Sequence, residues 1–270
     1  MTSSSDSTVL ADEPEAAIMR LSLNRPATLN AYTRQLCAEL LAGLRRYADR
    51  DDLRCLIVTG QGRGFCAGGD MVETDPSVPG LHDRQLGHAA ELRDGIHTVI
   101  RTLFALDKPV IAMINGAAVA GGLALALCCD FRIAAEGARL GDASGRFALL
   151  PDDGGAWLFP RAMGFDRALR MTLLNEIYSA EEAQKLGLVT EVVPDAVLED
   201  RTMKIARHLV QKAPLAVRLA KSLMRRGLEG SLDRSLEEAA LATMISNTSA
   251  DVREGVSAFF ARRPPMFSGR

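Results

Sequence analysis

The chain has 270 residues, of which 47% are hydrophobic and 24% charged, and its formal net charge at pH 7 is -2. This length and balance permit a folded unit with a sizeable core. The near-neutral charge argues against a protein that coats nucleic acid or binds an anionic membrane by electrostatics alone. The five cysteines lack metal-ligand spacing, so we expect reduced thiols in a cytoplasmic protein, with neither disulfides nor a metal site.

The first third of the chain predicts a strand, a helix and a second strand. Residues 1–15 lack the apolar segment of a signal peptide, and we expect them to form a disordered leader. Alternating polarity over 16–23 predicts a strand, and apolar positions spaced by three and four over 33–50 predict an amphipathic helix. Residues 54–60 predict a short buried strand that ends in a glycine-rich turn. Residues 71–83 are polar, contain two prolines and predict a mobile loop.

The middle of the chain repeats the order strand, glycine turn, helix, strand. A predicted helix over 85–106 leads into a buried strand over 108–116. A helix of small residues over 121–127 follows, and then a third buried strand over 129–136. This order predicts α/β architecture with short crossovers.

The last quarter of the chain is predicted to be helical throughout, with periodicity over 196–263 that breaks only at proline and glycine. We therefore expect a substrate-binding core over 16–195 and a helical oligomerisation region over 196–270. The longest apolar run, 117–129, is too short to cross a bilayer, so no membrane is expected as a partner.

Two glycine turns are candidates for an oxyanion hole. FCAGGD (65–70) and AVAGGLALAL (118–127) each follow an apolar strand and carry few reactive side chains. Small residues let the backbone approach a ligand closely, and the first N–H groups of a helix have no partner inside it. Each turn alone is equally consistent with tight helix packing. Together they could aim two N–H donors at one oxygen.

Six motifs follow one another along the chain: NRPATLNA (24–31), GRGFCAGGD (62–70), DKPVIAMINGAAVAGGLALALCCDFRIA (107–134), ALLPDDGGAWLFPRAMG (148–164), SAEEAQKLGLVTEVVP (179–194) and REGVSAFFARRPPMF (253–267). In this order they resemble the enoyl-CoA hydratase/isomerase, or crotonase, superfamily. The resemblance implies an α/β fold, a crotonase (ClpP-like) spiral of ββα units with an all-helical C-terminal trimerisation region. It also implies an acyl-CoA substrate, no cofactor beyond the CoA of that substrate, and a homotrimer or dimer of trimers.

The resemblance also assigns residues to the binding of the thioester and of CoA. The oxyanion donors are expected to be the N–H groups of Ala67 and Gly121. The CoA moiety is expected to contact Arg25, Ala67, Gly68, Gly69, Asp70 and Gly121, and the CoA of a neighbouring subunit to contact Phe259 and Arg262.

The acids depart from the hydratase pattern. Hydratases of this superfamily hold a water between two glutamates, but the corresponding positions here are Ala124 and Ser144. Hydration by a two-carboxylate mechanism is therefore not expected. Isomerases of the superfamily place one acid directly after the proline of this segment, and Asp152 occupies that position.

Other polar residues near this segment receive secondary assignments. We expect Asp153 to cap the helix through Trp157 or to contact solvent, because aspartate is favoured at a helix N-cap. Asp153 and Asp142 are the fallback acids, and Asp142 is expected at the pocket wall. His82 or His88 could reach the active site from the predicted loop and helix.

The preferred hypothesis is Δ3 to Δ2 isomerisation of an enoyl-CoA with Asp152 as the proton shuttle. Hydrolytic carbon–carbon cleavage or thioester hydrolysis by an activated water is an alternative that uses the same oxyanion hole. Hydration without the two glutamates and a non-catalytic CoA-binding subunit are further alternatives. The sequence leaves the acyl chain length, ring content and pathway open.

Overall fold

The structure is a computed structural model that describes residues 7–71 and 87–269. Most of the predicted loop over 71–83, together with His82, lies outside these ranges, and the side chain of His88 is likewise not described. The strands, in chain order, are β1 (Val9–Glu15), β2 (Ile18–Leu23), β3 (Cys55–Gly60), β4 (Gly64–Cys66), β5 (Val110–Ile114), β6 (Ala117–Val119), β7 (Phe131–Ala135), β8 (Arg139–Gly141), β9 (Ile177–Ser179) and β10 (Glu191–Val193).

The strands form two sheets whose parallel registers follow from the ββα repeat. The larger sheet has the order β1-β2-β3-β5-β7-β10 and is parallel except for the β1–β2 pair. The smaller sheet has the order β4-β6-β8-β9. Each of its strands has three residues. A strand of this length is too short to be recognised from alternating polarity in the sequence. The predicted α/β fold of ββα units is confirmed.

The helices, in chain order, are α1 (Arg34–Asp49), α2 (Gly87–Asp94), α3 (Ile96–Ala105), α4 (Gly121–Leu127), α5 (Gly155–Met163), α6 (Phe165–Leu174), α7 (Ala180–Lys185), α8 (Leu198–Val210), α9 (Pro214–Gly227), α10 (Leu232–Asn247) and α11 (Ala250–Phe260). Short 3-10 helices cover Pro26–Thr28, Ser144–Phe147 and Asp195–Val197. The predicted helix over 85–106 is divided at Gly95, which leaves helical geometry with φ -89° and ψ -110°. The helices predicted over 196–263 are present as α8 to α11. None of the helices described is long and apolar enough to cross a membrane.

The prediction of a disordered leader over 1–15 is wrong for its second half. Val9–Glu15 forms β1 and pairs antiparallel with β2, with Val9 opposite Leu23. Val9 is buried, and the Glu39 carboxylate accepts the N–H of Thr8 at 2.7 Å and that of Val9 at 2.9 Å. The polar composition of residues 1–15 gave no sign of this strand, because the residues that stabilise it lie elsewhere in the chain.

The two faces of the larger sheet carry separate apolar clusters. On one face α1 buries Leu36, Leu40, Leu44 and Tyr47. On the other face α8 contributes residues such as Met203. Full burial of a large apolar side chain is worth about 1.5–3 kcal/mol, so this packing stabilises the sheet on both faces. The carboxyl ends of β3 and β5 lead into β4 and β6 of the smaller sheet, which carry the two glycine turns.

Candidate active site

The first glycine turn is held by backbone bonds to the segment that contains Tyr32. The N–H of Tyr32 donates to the carbonyl of Gly68 at 2.8 Å, and the N–H of Asp70 donates to the carbonyl of Tyr32 at 3.0 Å. Gly68 has φ +95°, a conformation that glycine adopts without strain. Arg25 Nη1 donates to Asp70 Oδ2 at 2.6 Å and to the carbonyl of Ala31 at 2.6 Å. Asp70 therefore stabilises the turn.

The predicted donor Ala67 is wrong as an oxyanion donor in this structure. Its N–H donates to the carbonyl of Leu29 at 3.0 Å and is therefore already used. Two residues further along, the N–H of Gly69 has no acceptor among the described residues, and Gly69 lines a cavity beside the turn. The available donor of this turn is Gly69, which the sequence analysis had assigned only to CoA contact.

The second glycine turn lies directly against the first. A Cβ atom on Gly68 would be 3.4 Å from the nitrogen of Gly121, and a Cβ atom on Gly122 would be 2.0 Å from the carbonyl oxygen of Cys66. At position 122 only a residue without a side chain permits this approach. Gly121 is the first residue of α4, and no acceptor for its N–H is found in the described part of the chain. The structure therefore brings the N–H groups of Gly69 and Gly121 to neighbouring turns.

A cavity of about 180 Å³ opens beside the two turns. Its lining includes Ala67, Gly69, Ala120, Ile96, Ser144, Phe147, Leu149, Asp152 and Asp153. Arg34 and Glu91 form an ion pair and also line this cavity. Apolar side chains with a few convergent polar groups are typical of a small-molecule site.

A second cavity of about 390 Å³ shares Asp152 with the first. Its apolar lining includes Ile100, Leu158 and the edge-to-face pair of Phe104 and Trp157, whose ring centroids are 5.3 Å apart. The carboxylate-bearing segment therefore lies between two apolar spaces.

Asp152 is half-buried and lines both cavities. Its backbone carbonyl accepts a hydrogen bond of 2.8 Å from Nε2 of His97, which lies on α3. A carbonyl can only accept, so Nε2 carries the hydrogen. This bond ties the segment that carries Asp152 to α3. His97 was not among the histidines predicted near the site, which were His82 and His88.

Asp153 does not cap α5, contrary to the prediction. The N-cap is Gly154, with φ +93° and no side-chain capping bond. Asp153 turns instead into the protein, is 8% exposed, and accepts a hydrogen bond from the Tyr32 hydroxyl. Burial, against the effect of that bond, raises the pKa of Asp153 to about 6. Its Oδ1 has no hydrogen-bond partner among the described residues.

Asp142 is excluded as an acid at the pocket wall. It is fully buried, lines neither cavity, and both its carboxylate oxygens accept hydrogen bonds. Oδ1 accepts the N–H and hydroxyl of Ser144 at 3.0 and 2.7 Å, and Oδ2 accepts the Thr172 hydroxyl at 2.9 Å. Asp142 therefore holds the short helix that begins at Ser144.

The remaining predicted residues lie apart from the reacting centre. Ala124 is fully buried within α4, in the middle of the core. Phe259 and Arg262 lie on the exposed C-terminal surface and line neither cavity. Their contact with the CoA of a neighbouring subunit, and that of Arg25 with CoA, stay predictions. Tyr32, which no sequence motif identified, contacts both glycine turns and bonds Asp153.

Comparison with known proteins gives a consistent result. The chain matches the enoyl-CoA hydratase/isomerase family over residues 13–270. It is 39% identical to the 1,2-epoxyphenylacetyl-CoA isomerase of Escherichia coli K12, with 95% of this chain and 97% of the relative covered. It is 37% identical to a probable enoyl-CoA hydratase of Rhodobacter capsulatus, covering 93% and 94%.

Solved structures agree with these relatives. The crystal structure of an enoyl-CoA hydratase from Bacillus anthracis superimposes with a TM-score of 0.91 at 36% identity, covering 97% of this chain and 100% of that one. A similar fold, shared over nearly the whole length, accompanies the match in sequence. The chain belongs to the enoyl-CoA hydratase/isomerase family.

Proposed function

We propose that this protein isomerises the double bond of an enoyl-CoA, converting a 3-enoyl thioester into the conjugated 2-enoyl thioester. The observation that carries the proposal is the half-buried Asp152 on the wall of the cavity beside the two glycine turns. The positions of the hydratase glutamates hold Ala124 and Ser144, neither of which can act as a carboxylate base. The CoA moiety belongs to the substrate, so the reaction requires no separate cofactor.

The proposed reaction moves one proton between two carbons of the substrate. The thioester carbonyl acidifies the hydrogens on C2, and the Asp152 carboxylate removes one of them. The negative charge of the resulting dienolate develops on the thioester oxygen, where the N–H groups of Gly69 and Gly121 stabilise it. Asp152 then returns its proton to C4, the double bond moves to C2–C3, and the carboxylate is regenerated.

The test is turnover of a 3-enoyl-CoA, followed by formation of the conjugated product. We expect Asp152→Asn to lower kcat by about 10²- to 10⁴-fold with little change in KM, because the amide cannot accept the proton. The matched control is Asp166→Asn on the exposed start of α6, which should keep wild-type turnover. Wild-type turnover by the Asp152 variant would contradict the proposal.

The names of the relatives support two reactions. The E. coli protein is named as an isomerase of a CoA ester, which agrees with the proposal. The R. capsulatus and B. anthracis proteins are named as hydratases, which makes hydration the second candidate. Rapid hydration of crotonyl-CoA by the wild-type protein would favour this second candidate over isomerisation.

We also propose a homotrimer or a dimer of trimers as the working form. The C-terminal helices expose large apolar side chains, among them Leu228, Leu232, Leu236, Leu241, Met244 and Ile245. Large apolar side chains exposed together along one stretch of chain, 228–245, favour an interface. The mass in solution by light scattering tests this proposal, and a monomer at working concentrations would contradict it.

A further inference from the structure

Tyr32 lies between the two glycine turns and contacts both. Its ring packs against the first turn, since a Cβ atom on Gly69 would lie 3.6 Å from ring atom Cε2 and 3.6 Å from the hydroxyl oxygen. Its hydroxyl reaches the second turn, since a Cβ atom on Gly121 would lie 2.5 Å from the same oxygen. Isomerisation as described above gives Tyr32 no role, although these two glycines supply the N–H groups that stabilise the enolate.

The backbone of Tyr32 orients the N–H group of Gly69. Tyr32 and Gly69 face each other in an isolated parallel bridge. The N–H of Tyr32 donates to the carbonyl of Gly68, and the carbonyl of Tyr32 accepts the N–H of Asp70. A parallel bridge of this kind uses the carbonyl before and the N–H after the opposing residue, which leaves that residue's own N–H on the far side. The N–H of Gly69 therefore points away from Tyr32.

The hydroxyl of Tyr32 is held in place by Asp153. It donates a hydrogen bond to the Asp153 carboxyl group, and the acceptor is Oδ2, because Oδ1 has no partner among the described residues. Burial raises the pKa of Tyr32 well above its ordinary value, so the hydroxyl keeps its proton and acts as the donor. A Cβ atom on Gly121 would lie 2.4 Å from Oδ2. Both partners of this hydrogen bond therefore pack against Gly121.

We propose that Tyr32 is the positioning residue of the oxyanion site and sets the distance between the N–H groups of Gly69 and Gly121. Its ring packs against the first donor turn, and Asp153 fixes its hydroxyl against the second. Tyr32 donates no hydrogen bond to the substrate, because Asp153 accepts its only O–H. Since the charge on the thioester oxygen develops during the reaction, a change in this distance affects the enolate more than the neutral thioester. The inference rests on the proposed enolate chemistry.

The test compares binding of an enolate with binding of a neutral thioester and needs no turnover. Acetoacetyl-CoA forms a stable enolate whose near-ultraviolet absorbance reports the bound anion, and butyryl-CoA measures ordinary thioester binding. We expect Tyr32→Phe to weaken enolate binding by about tenfold to a hundredfold, the range for donors displaced by up to about 1 Å. Binding of butyryl-CoA should change little.

Tyr47→Phe is the matched control. Tyr47 is buried, its hydroxyl donates to the carbonyl of Pro109 at 2.9 Å, and it lines neither cavity. This substitution removes a buried tyrosine hydroxyl without changing a contact of either glycine turn. Enolate binding should therefore stay at the wild-type level, which separates the loss of a buried hydrogen bond from the displacement of the N–H donors.

Variants at Asp153 test whether the Tyr32 hydroxyl acts through this carboxyl group. Asp153→Ala removes the acceptor and should weaken enolate binding as Tyr32→Phe does. Because both substitutions break the same hydrogen bond, the double variant should lose little more than either single variant. Asp153→Asn keeps a side-chain oxygen that accepts the Tyr32 hydroxyl, so it should bind the enolate within a few-fold of wild type.

Three results would overturn the inference. One is wild-type enolate binding by Tyr32→Phe or by Asp153→Ala, and either variant suffices if the other does not fold. Another is an equal loss of enolate and butyryl-CoA binding, which would mean a general disruption of the site. The third is a double variant whose loss equals the product of the two single losses. Failure of isomerisation with the expected enolate results intact would refute the proposed function alone.

Discussion

The buried carboxyl of Asp153 should make the protein less stable as the pH rises, and replacing it should remove that loss. The ordinary pKa is 3.8 and the folded value is about 6, with burial as the largest cause. The folded state therefore disfavours the ionised form. The contribution of Asp153 to stability is complete below pH 3.8 and is lost as the pH rises through about 6.

The size of the effect follows from the pKa difference. A shift of about 2 units at about 1.36 kcal/mol each corresponds to a cost of about 3 kcal/mol above pH 6. Asp153→Asn keeps the shape of the side chain and cannot ionise. We expect the free energy of unfolding of the variant, minus that of wild type, to be larger at pH 8 than at pH 4 by up to about 3 kcal/mol.

The assay is urea unfolding of both proteins across this pH range at one protein concentration, because association of copies would add its own term. Asp166→Asn, on the exposed start of α6, controls for a general change in charge. Its free energy of unfolding should differ from that of wild type by the same amount at every pH. If the difference in free energy of unfolding between wild type and Asp153→Asn did not change with pH, the raised pKa of Asp153 would be refuted.

Three further substitutions test the site and the fold. Gly121→Ala should reduce kcat on a 3-enoyl-CoA by more than about tenfold, because its Cβ would lie 2.4 Å from Asp153 Oδ2; unchanged turnover would contradict the described packing. Asp130→Ala removes the carboxylate that pairs with Lys221 at 2.6 Å and with Arg225 at 2.9 Å. Calorimetric or urea unfolding should show a loss of about 3–5 kcal/mol, whereas a loss near zero would mean that water replaces the carboxylate. Leu44→Ala in the core of α1 should cost about 2–5 kcal/mol by the same measurement, and a smaller cost would indicate that the core collapses around the cavity.

The sequence was sufficient for the long elements and for the family. The helix over 33–50 and the buried strand over 54–60 were predictable because apolar periodicity reports burial residue by residue. The structure has these elements at Arg34–Asp49 and Cys55–Gly60. The order of the six motifs also predicted the superfamily, which the family match over residues 13–270 confirms.

Short elements and capping were not predictable in the same way. β4 has only three residues, and β1 is an exposed, polar edge strand stabilised by Glu39, which lies about thirty residues away. The capping role expected of Asp153 was inferred from residue preference. The structure replaces it with burial against Tyr32, since a partner distant in the chain can outweigh a local preference.

The sequence by itself determined the α/β class, the two glycine turns and the acidic pair at 152–153. Only the tertiary structure decided which backbone N–H groups are available, since Leu29 occupies the donor of Ala67 and leaves that of Gly69. It likewise distinguished the two neighbouring aspartates. Adjacent residues share a sequence environment, but their side chains point to different surroundings, and burial and hydrogen-bond partners depend on how distant segments pack.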